Sequence, residues 1–521
     1  MDPAVSMVEL PATPKGVDGS LIPALLDVLS VTLAGALFRL GPLLTSANPL
    51  HDGGLFVVMI RDIRAAGMTI PATTTYNGGD VPFSYPPLAL WVAALLPADP
   101  LTIVRFAGPL VAFLTVPMVY LLARELLPGR PYAYVAALIY ALSPRGWDWL
   151  VTGGGLTRAP GLLLVVVGIW MLLRLYRTGK SRYVVGAAVF GGLAVVTHPE
   201  AAVCAAVAYS LLALLRVRDR AALLSTIWVV VGGFLVTLPW LLLLASRGQL
   251  SGLTQAGSQG VDPLISFAMI LKLDLTDELF VQAVLGLGLL GALVLARSRS
   301  WFIVLWLLAE VVIAARGAPT YAAIPMALAG SYGLYDAIGR GVLRIPRPDV
   351  FRSNAVRGVL LMVLLWSAVD DFDLLAGSYA PFDGVTANGF SDMAWIKSQT
   401  PADARFAVIA GTPWPNDVYG EWLPALADRV SVATMQGREW LSRSAWDDAL
   451  DSYAQLQLCV HSDASCLATW TKAHSELETD YVYVVDTVVS HPLVLSVELS
   501  PEFQVVHKSK DGVVARLIAG P

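Results

Sequence analysis

Long apolar segments recur along almost the whole of this 521-residue chain, and they constrain its fold more than any other feature. A helix rises about 1.5 Å per residue, so roughly 20 apolar residues cross the roughly 30 Å hydrocarbon core of a bilayer. Eleven segments reach or approach that length, several of them only if tilted or extended into neighbouring loops. They lie near residues 21–45, 101–123, 131–144, 159–176, 183–198, 199–215, 221–245, 279–296, 301–315, 318–338 and 357–374. The chain is therefore predicted to be a polytopic α-helical membrane protein.

The composition agrees with this prediction. Only 14% of the residues are charged, against roughly 25% in soluble domains, and the mean hydropathy is +0.64. The net charge of −5 is small and spread out, which argues against nucleic acid as a partner. The first apolar segment exceeds the roughly 7–15 residues of a signal-peptide core, so we expect a retained span preceded by a cytoplasmic tail at residues 1–20.

A twelfth apolar segment at 86–96 is too short for an ordinary span, and the distribution of charge decides how it is interpreted. If this segment does not cross and the N-terminus is cytoplasmic, the cytoplasmic loops hold sixteen Lys and Arg residues. The opposite loops up to residue 320 then hold seven, and a crossing at 86–96 would reverse this positive-inside bias. We therefore predict about eleven transmembrane helices in the plasma membrane, and a re-entrant or interfacial helix at 86–96.

After about residue 375 the composition becomes that of a soluble domain. Its patterns predict a helix, two short buried strands and a hairpin, at 391–399, 405–411, 481–486 and 503–518 respectively. The expected organisation is a transmembrane module at 21–374 and a small extracytoplasmic α/β domain at 375–521. Because that side of the membrane is oxidising, Cys459 and Cys466 are predicted to form a disulfide, whereas Cys204 is expected to be a small buried residue.

The tetrapeptide His51-Asp52-Gly53-Gly54 places a carboxylate directly after the first apolar segment. Charges against a membrane are costly and usually functional, and this carboxylate could deprotonate a hydroxyl group while a lipid-borne substrate enters from the side. The residues that follow have the spacing of a helix lying on the interface, with Arg61, Asp62 and Arg64 directed to water. Asp52 could equally be no more than the N-cap of that helix.

Two loops, at 75–91 and 147–158, combine aromatic residues, glycines and polar groups, as loops that bind sugars do. They provide Tyr85, Asp148 and Arg158 as candidates for substrate binding. The Arg158 guanidinium, beside three glycines, could bind a phosphate in a bidentate manner. The alternative is an ordinary belt of interfacial aromatic residues.

Several other ionisable residues lie at or within the membrane. His198 and Glu200, in a tight turn, could join Asp52 in a divalent-metal site or simply form a solvated turn. Glu310 lies inside an apolar segment and must face a protein interior or pair with a base, of which Arg316 is the nearest. Arg316 could bind a phosphate, or its side chain could extend to the membrane surface at a helix end.

Motifs for ATP-binding loops, dinucleotides and zinc are not found in the sequence, which disfavours an ATP-driven pump. The alternative from another class is an ion-coupled secondary transporter, or a lipid-carrier membrane protein without transferase activity. A transporter is expected to carry ionisable groups near mid-membrane, and Glu310 alone fits that expectation.

A group of short motifs resembles the type C membrane glycosyltransferases, above all the branch of protein O-mannosyltransferases and lipid A aminoarabinose transferases. The motifs are Asp52 after the first span, YPPL at 85–88, Arg105 in VRFAGPL, and LLARELLPGR closing that span. In that family the acid is the catalytic base or orients the acceptor, the donor is a sugar on a polyprenyl phosphate, and transfer inverts the anomeric carbon on the extracytoplasmic side. The resemblance implies that Asp52 is catalytic and that His51, Tyr85 and Arg105 bind substrate, with a lipid, glycan or protein hydroxyl as the acceptor.

The chain departs from the family pattern at two positions. His51-Asp52 stands where many members have two adjacent acids, and Ser84-Tyr85 stands where the aminoarabinose branch has Glu-Lys. A metal ligand and a phosphate-binding base are thereby missing, so the use of Mg²⁺ or Mn²⁺ stays open and other arginines must hold the phosphate. The segment 417–441, rich in Trp, Glu and Arg, could cover the site and select the acceptor, or could simply pack onto the membrane part.

Overall fold

A computed structural model describes residues 21–79, 81–216, 219–258, 268, 275–279, 281–313, 318–376 and 382–518. Residues 21–376 are called the membrane module below, and residues 382–518 the C-terminal domain. The helices of the membrane module are α1 (Leu21–Leu40), α2 (Pro42–Thr45), α3 (Gly54–Ala65), α4 (Leu88–Leu95), α5 (Pro100–Leu126), α6 (Arg130–Leu142), α7 (Gly155–Thr178), α8 (Ser181–Val195), α9 (Pro199–Leu215), α10 (Arg220–Ser246), α11 (Leu250–Ser258), α12 (Ala283–Arg297), α13 (Trp301–Ile313), α14 (Ala318–Tyr332), α15 (Arg347–Val350) and α16 (Asn354–Ala376). The helix α14 continues as a π-helix at Gly333–Val342.

A helix is present at each of the eleven predicted apolar segments. Within the described residues, four helical stretches are long and apolar enough to cross a bilayer, at Ile22–Thr45, Pro100–Leu126, Gly155–Thr178 and Arg220–Ser246. Local sequence sets their ends. Asp99, for example, caps α5 by accepting hydrogen bonds from the first backbone N–H groups of the helix, and Pro100 occupies its first position. The chain is an integral membrane protein.

The helix α3 is not the surface helix that its spacing predicts. Its apolar residues are buried on nearly all sides, because one side of α3 packs on α4 and α5 and another on the C-terminal domain. Asp62 does not face water: its carboxylate accepts hydrogen bonds from the Thr74 hydroxyl (2.6 Å) and from the Thr75 backbone N–H (2.9 Å). That prediction was wrong because the following loop binds Asp62, while α4 and α5 cover one side of α3 and the C-terminal domain another. Arg61 is exposed as predicted, although it donates to the Ala425 carbonyl (2.9 Å).

The helix α4 has eight residues, or about 12 Å, too little for a bilayer of roughly 30 Å. The Arg64 guanidinium holds its C-terminal end by donating to the carbonyls of Ala94, Leu96 and Ala98. A two-stranded pairing of β1 (Thr73–Thr74) with β2 (Val81–Pro82) completes the described part of this loop. The short helix at 86–96 therefore lies against the module and does not cross it.

The C-terminal domain is a small α/β unit built on a five-stranded sheet of order β4-β3-β5-β7-β6. Its elements are α17 (Ala387–Gln399), β3 (Arg405–Ile409), α18 (Val418–Leu426), β4 (Val430–Ser431), α19 (Arg443–Leu458), α20 (Ala464–Ala473), β5 (Tyr481–Val485), α21 (His491–Leu499), β6 (Phe503–Lys508) and β7 (Gly512–Leu517). The strand β3 is parallel to β4 and β5, and β7 is antiparallel to β5 and β6. Each predicted element is present at its predicted place.

The cysteines also behave as predicted. Cys459 and Cys466 are joined in a disulfide, and Cys204 is buried as a free thiol in the membrane module. The disulfide links the end of α19 to the start of α20 and closes a short loop of the C-terminal domain.

The carboxyl ends of the parallel strands face the membrane module. The chain after β3 reaches α3, and the chain after β4 reaches the loop that contains Tyr85. One continuous apolar cluster contains Leu55 and Met59 of α3 together with Phe406 of β3, Trp422 of α18 and Tyr483 of β5. The two parts of the chain therefore share a core, and the candidate site lies where they meet.

Candidate active site

Asp52 lies in the loop between α2 and α3, residues 46–53, called the Asp52 loop below. One carboxylate oxygen, Oδ1, accepts a hydrogen bond from the Gly154 backbone N–H (2.6 Å). The other, Oδ2, forms an ion pair with Arg158 Nη1 (2.9 Å), and the Arg158 guanidinium lies 5.5 Å from the Trp149 ring centroid. The structure therefore brings together Asp52 and Arg158, which are 106 positions apart in the sequence.

Two glycines permit this close approach. A Cβ atom at Gly153 would lie 1.7 Å from the Asp52 carbonyl oxygen. A Cβ atom at Gly154 would lie 2.4 Å from both Asp52 Oδ2 and Arg158 Nη1. Any side chain at these positions would push the Asp52 loop away from α7, so the glycines that follow Trp149 serve the ion pair.

Asp52 does not cap α3, so that interpretation of the sequence is excluded. The N-cap residue is Gly53, at a φ of +119°, and no side chain of the loop accepts from the helix. Instead Glu421 of α18 supplies the cap: its Oε1 accepts from the backbone N–H groups of Gly53 (2.7 Å) and Gly54 (3.1 Å). A carboxyl group at a helix N-terminus satisfies N–H groups that otherwise have no partner.

Other residues of the C-terminal domain hold the same loop. The Trp422 indole N–H donates to the His51 carbonyl (2.7 Å), and the His51 ring contacts the Pro415 carbonyl (2.8 Å). The His51 backbone N–H donates to the Asp383 carbonyl (2.6 Å). The segment 417–441 thus covers the Asp52 loop directly, which is one of the two roles considered for it.

The two neighbouring carboxyl groups differ in their electrostatic environments. Burial alone would raise the pKa of Asp52, but the positive charges of Arg158 and His51 and the Gly154 hydrogen bond outweigh it, so this pKa is lowered from its ordinary value. Burial, together with the negative charge of Asp52, raises the pKa of Glu421 well above its ordinary value. Asp52 is therefore the ionised member of the pair and Glu421 the one that keeps a proton.

A second polar group adjoins the first through Thr157, the neighbour of Arg158. The Tyr85 hydroxyl lies 2.7 Å from His198 Nδ1 and 3.0 Å from Thr157 Oγ1, and His198 Nε2 lies 3.3 Å from Glu200 Oε2. Trp440, from the segment after β4, packs its ring edge-on against Tyr85 with the centroids 5.7 Å apart. The structure thus joins four predicted residues, Asp52, Tyr85, Arg158 and His198, in one continuous polar site.

The described residues do not form the proposed metal site. His198 and Glu200 are neighbours, but Asp52, the expected third ligand, is bound by Arg158 and Gly154 instead. No three His, Cys, Asp or Glu side chains come together as a metal would require in the part of the chain that the structure describes. We therefore derive no step of the chemistry through a metal ion.

Three other predicted residues, Arg105, Glu310 and Asp148, make contacts with other parts of the chain. Arg105 donates to the carbonyls of Leu43 (2.8 Å) and Ser46 (2.7 Å), which ties the end of α2 to α5. Glu310, in α13, accepts from the indole N–H of Trp306 (2.8 Å). Arg316, its predicted partner, lies outside the described residues.

Asp148 is fully buried beside Arg145. Asp148 Oδ2 lies 3.5 Å from Arg145 Nη1, and the Arg145 guanidinium forms an ion pair with Asp277 (2.8 Å). Burial raises the pKa of Asp148 to about 8, despite the positive charge of Arg145 and with a further contribution from Asp277. Two acids thus share one base in this interior, and Asp148 holds its proton at neutral pH.

This raised pKa predicts how stability depends on pH. A buried acid that keeps its proton when folded, but ionises near 3.8 when unfolded, loses stability as pH rises from that value to about 8. Asn imitates the protonated form, so Asp148→Asn should match the wild type in melting temperature only below about pH 4, and should exceed it by a margin that grows until about pH 8. Thermal unfolding followed by tryptophan fluorescence in detergent measures this difference. A variant that unfolds at a lower temperature than the wild type throughout this pH range would show that Asp148 is ionised in the folded protein.

The residue that the sequence interpretation missed is Glu421. The segment that contains it drew attention because it is rich in Trp, Glu and Arg, but no local pattern distinguishes Glu421 from neighbouring acids. Its partner Gly53 is 368 residues away, so only the folded chain reveals the contact.

Comparisons with known proteins bear on the fold. The family model of dolichyl-phosphate-mannose-protein mannosyltransferases matches residues 84–243. No curated protein sequence matches the chain. The structure of the oligosaccharyltransferase of Archaeoglobus fulgidus in the apo form is similar, with a TM-score of 0.60 and 14% identity, over 88% of this chain and 69% of that chain. A second similar structure is ArnT from Cupriavidus metallidurans bound to undecaprenyl phosphate, with a TM-score of 0.55 and 15% identity, over 96% of this chain and all of that chain.

ArnT is a lipid A aminoarabinose transferase, the branch that the sequence motifs resemble. At such identities the likeness concerns the fold, and it extends over both the membrane module and the C-terminal domain. The chain has the fold of the type C membrane glycosyltransferases, as its motifs predicted.

Proposed function

We propose that this protein transfers a sugar from a polyprenyl-phosphate donor to a hydroxyl group of a lipid, glycan or protein acceptor, with inversion at the anomeric carbon. The observation that carries the proposal is the ion pair of Asp52 with Arg158 beneath the C-terminal domain, because it sets a base beside a phosphate-binding cation. Two similar structures contain polyprenyl phosphates: the oligosaccharyltransferase AglB of Archaeoglobus fulgidus contains a dolichol-phosphate, and ArnT contains undecaprenyl phosphate.

The proposed topology follows from the charge bias of the loops. Eleven spans within residues 21–374 leave residues 1–20 in the cytoplasm and place residues 375–521 outside it, in the plasma membrane. Asp52 then lies on the extracytoplasmic face, together with the domain that covers it. In this proposal the lipid-linked donor enters from the bilayer and the acceptor approaches under the C-terminal domain.

The chemistry uses groups that are already in place. The acceptor oxygen attacks the anomeric carbon and gives its proton to Asp52, and the bond from that carbon to the phosphate oxygen breaks on the opposite face of the sugar. The lipid phosphate leaves with both electrons of that bond, and the Arg158 cation stabilises the charge it gains. ATP is not required, because the lipid phosphate is itself the leaving group.

The neighbouring residues serve as binding groups in this proposal. Tyr85 and His198 offer hydrogen bonds to the donor beside Arg158, and Trp440 lies against Tyr85 from above. His51 shapes the Asp52 loop through its contact with Pro415. Glu421 is a positioning residue, because its carboxyl group holds the backbone of the Asp52 loop and does not itself reach a reacting atom.

Purified protein in proteoliposomes tests the activity. With a panel of radiolabelled polyprenyl-phosphate sugars and an extract of envelope lipids, glycans and proteins as acceptors, we expect one donor to be consumed. Each sugar transferred should release one polyprenyl phosphate. An ion-coupled carrier would instead accumulate solute along an ion gradient and leave every donor intact, and that result would exclude the proposal.

A further inference from the structure

The loop that follows β5, residues 486–490, leaves the sheet at the edge that faces the membrane module. The strands β3, β4 and β5 are parallel, so their carboxyl ends share that edge. The chain after β3 meets the Asp52 loop through Pro415 and His51, and the chain after β4 meets Tyr85 through Trp440. The third loop therefore lies at the same level above the membrane.

Hydrogen bonds through Asp511 connect this loop to the segment that follows α16. The Asp486 backbone N–H donates to the Asp511 carbonyl (2.7 Å), and the Asp511 carboxylate accepts from Thr386 and from Asn388 (3.1 Å). Thr386 and Asn388 follow α16, which ends at Ala376, by only ten and twelve residues. Hydrogen bonds through Asp511 thus tie the loop to the segment that leads from α16 into the C-terminal domain.

The loop presents two adjacent apolar side chains on a rigid frame. Val488 is 98% exposed and Val489 is 49% exposed. The frame is held by hydrogen bonds of Ser490, whose hydroxyl donates to the Val485 carbonyl and accepts from the Thr487 backbone N–H (2.8 Å). Fixing two valines in water is unfavourable, whereas the same side chains are stabilised in the boundary region of a bilayer.

We propose that the 486–490 loop inserts Val488 and Val489 into the membrane surface, in the leaflet that faces the C-terminal domain. The occupant is lipid rather than another protein, because the loop lies on the edge of the sheet that faces the membrane module and is hydrogen-bonded to the segment that follows α16. This contact holds the C-terminal domain at a fixed height over the Asp52 loop. It is independent of the proposed transfer activity, so either proposal can fail without the other.

Fluorescence quenching by lipid tests the proposal. Val488→Cys is labelled with a polarity-sensitive fluorophore, and the native cysteines do not compete, because Cys204 is buried and the other two are bonded to each other. The labelled protein is reconstituted into phosphatidylethanolamine and phosphatidylglycerol vesicles, with or without lipid that carries a spin label near the headgroup. We expect blue-shifted emission in vesicles and a loss of fluorescence with the spin-labelled lipid.

Leu499→Cys is the matched control. Leu499 is 86% exposed and belongs to the same helix that follows the loop, but it lies at the opposite edge of the sheet, next to the start of β6. Its emission should respond little to the spin-labelled lipid. Equal quenching of the two labels, or a blue shift at Val488→Cys without quenching, would overturn the proposal, since the second result indicates a protein partner.

Discussion

Replacing Asp52 by Asn is expected to lower the turnover of sugar transfer by about 10²–10⁴-fold, the usual contribution of a general base. The amide has nearly the same shape, and its oxygen can still accept from the Gly154 backbone N–H, so the loop should keep its place. What disappears is the group that takes the acceptor's proton. Initial rates at saturating donor measure the loss, and an unchanged KM for the donor would assign it to the chemical step.

Replacing a buried acid outside the site is the control, because it shows the effect of losing a buried carboxylate that has no role in the reaction. Asp62 lies ten residues further on, at similar burial, and its partners are Thr74 and Thr75. Asp62→Asn should keep most of the turnover even if it lowers the melting temperature. A wild-type turnover in Asp52→Asn would remove Asp52 from the mechanism, and an equal loss in both variants would reduce its role to stability.

The role of Asp52 as general base also predicts how the activity of the wild type depends on pH. Because the pKa of Asp52 is lowered below its ordinary value of 3.8, the base form persists as pH falls and is lost only when pH passes through the lowered value. Asp52 should therefore cause no loss of activity at any pH above about 4. An activity that disappears on acidification near pH 6 must be traced to another group.

Replacing Glu421 by Ala is expected to reduce turnover by about 10²-fold, although this side chain belongs to the C-terminal domain. The change removes the acceptor of the Gly53 and Gly54 N–H groups and frees the Asp52 loop, and a displacement of about 1 Å at a reacting group costs about that factor. The loss should fall on kcat. Donor KM should change less, because Tyr85 and Arg158 stay on the membrane module.

Glu421→Gln separates positioning from a merely structural role. The amide oxygen can accept the same two hydrogen bonds, so this variant should recover most of the activity that Ala loses at neutral pH. Because burial and the negative charge of Asp52 raise the pKa of Glu421, the wild type should resemble the Gln variant more closely as pH falls and differ from it most at high pH, where Glu421 ionises beside Asp52. Exposed Glu476→Ala is the control and should be neutral. Equal inactivity of the Gln and Ala variants would contradict the positioning role.

The sequence alone determined the features that depend on neighbours along the chain. Apolar runs predicted helices at eleven segments, short buried-strand and turn patterns predicted the strands and hairpin of the C-terminal domain, and composition predicted a boundary near residue 375. Asp52 could be selected because a carboxylate against the membrane is costly wherever the rest of the chain lies. Tyr85 and Arg158 were selected because their loops combine aromatic residues, glycines and polar groups, and His198 because it lies in a tight turn. The structure joins all three to Asp52.

The tertiary structure decided what each of these residues contacts. In the folded chain the Asp62 carboxylate faces inward, Asp148 is buried beside Arg145, and Glu421 rather than Asp52 caps the N-terminus of α3. The partners of Asp62 and Asp148 lie within thirteen residues of them, whereas Glu421 is 368 residues from Gly53. The period of the apolar residues and the local charges indicate which face of a segment is buried. They do not indicate which part of the chain packs on that face, because packing over the whole molecule decides it.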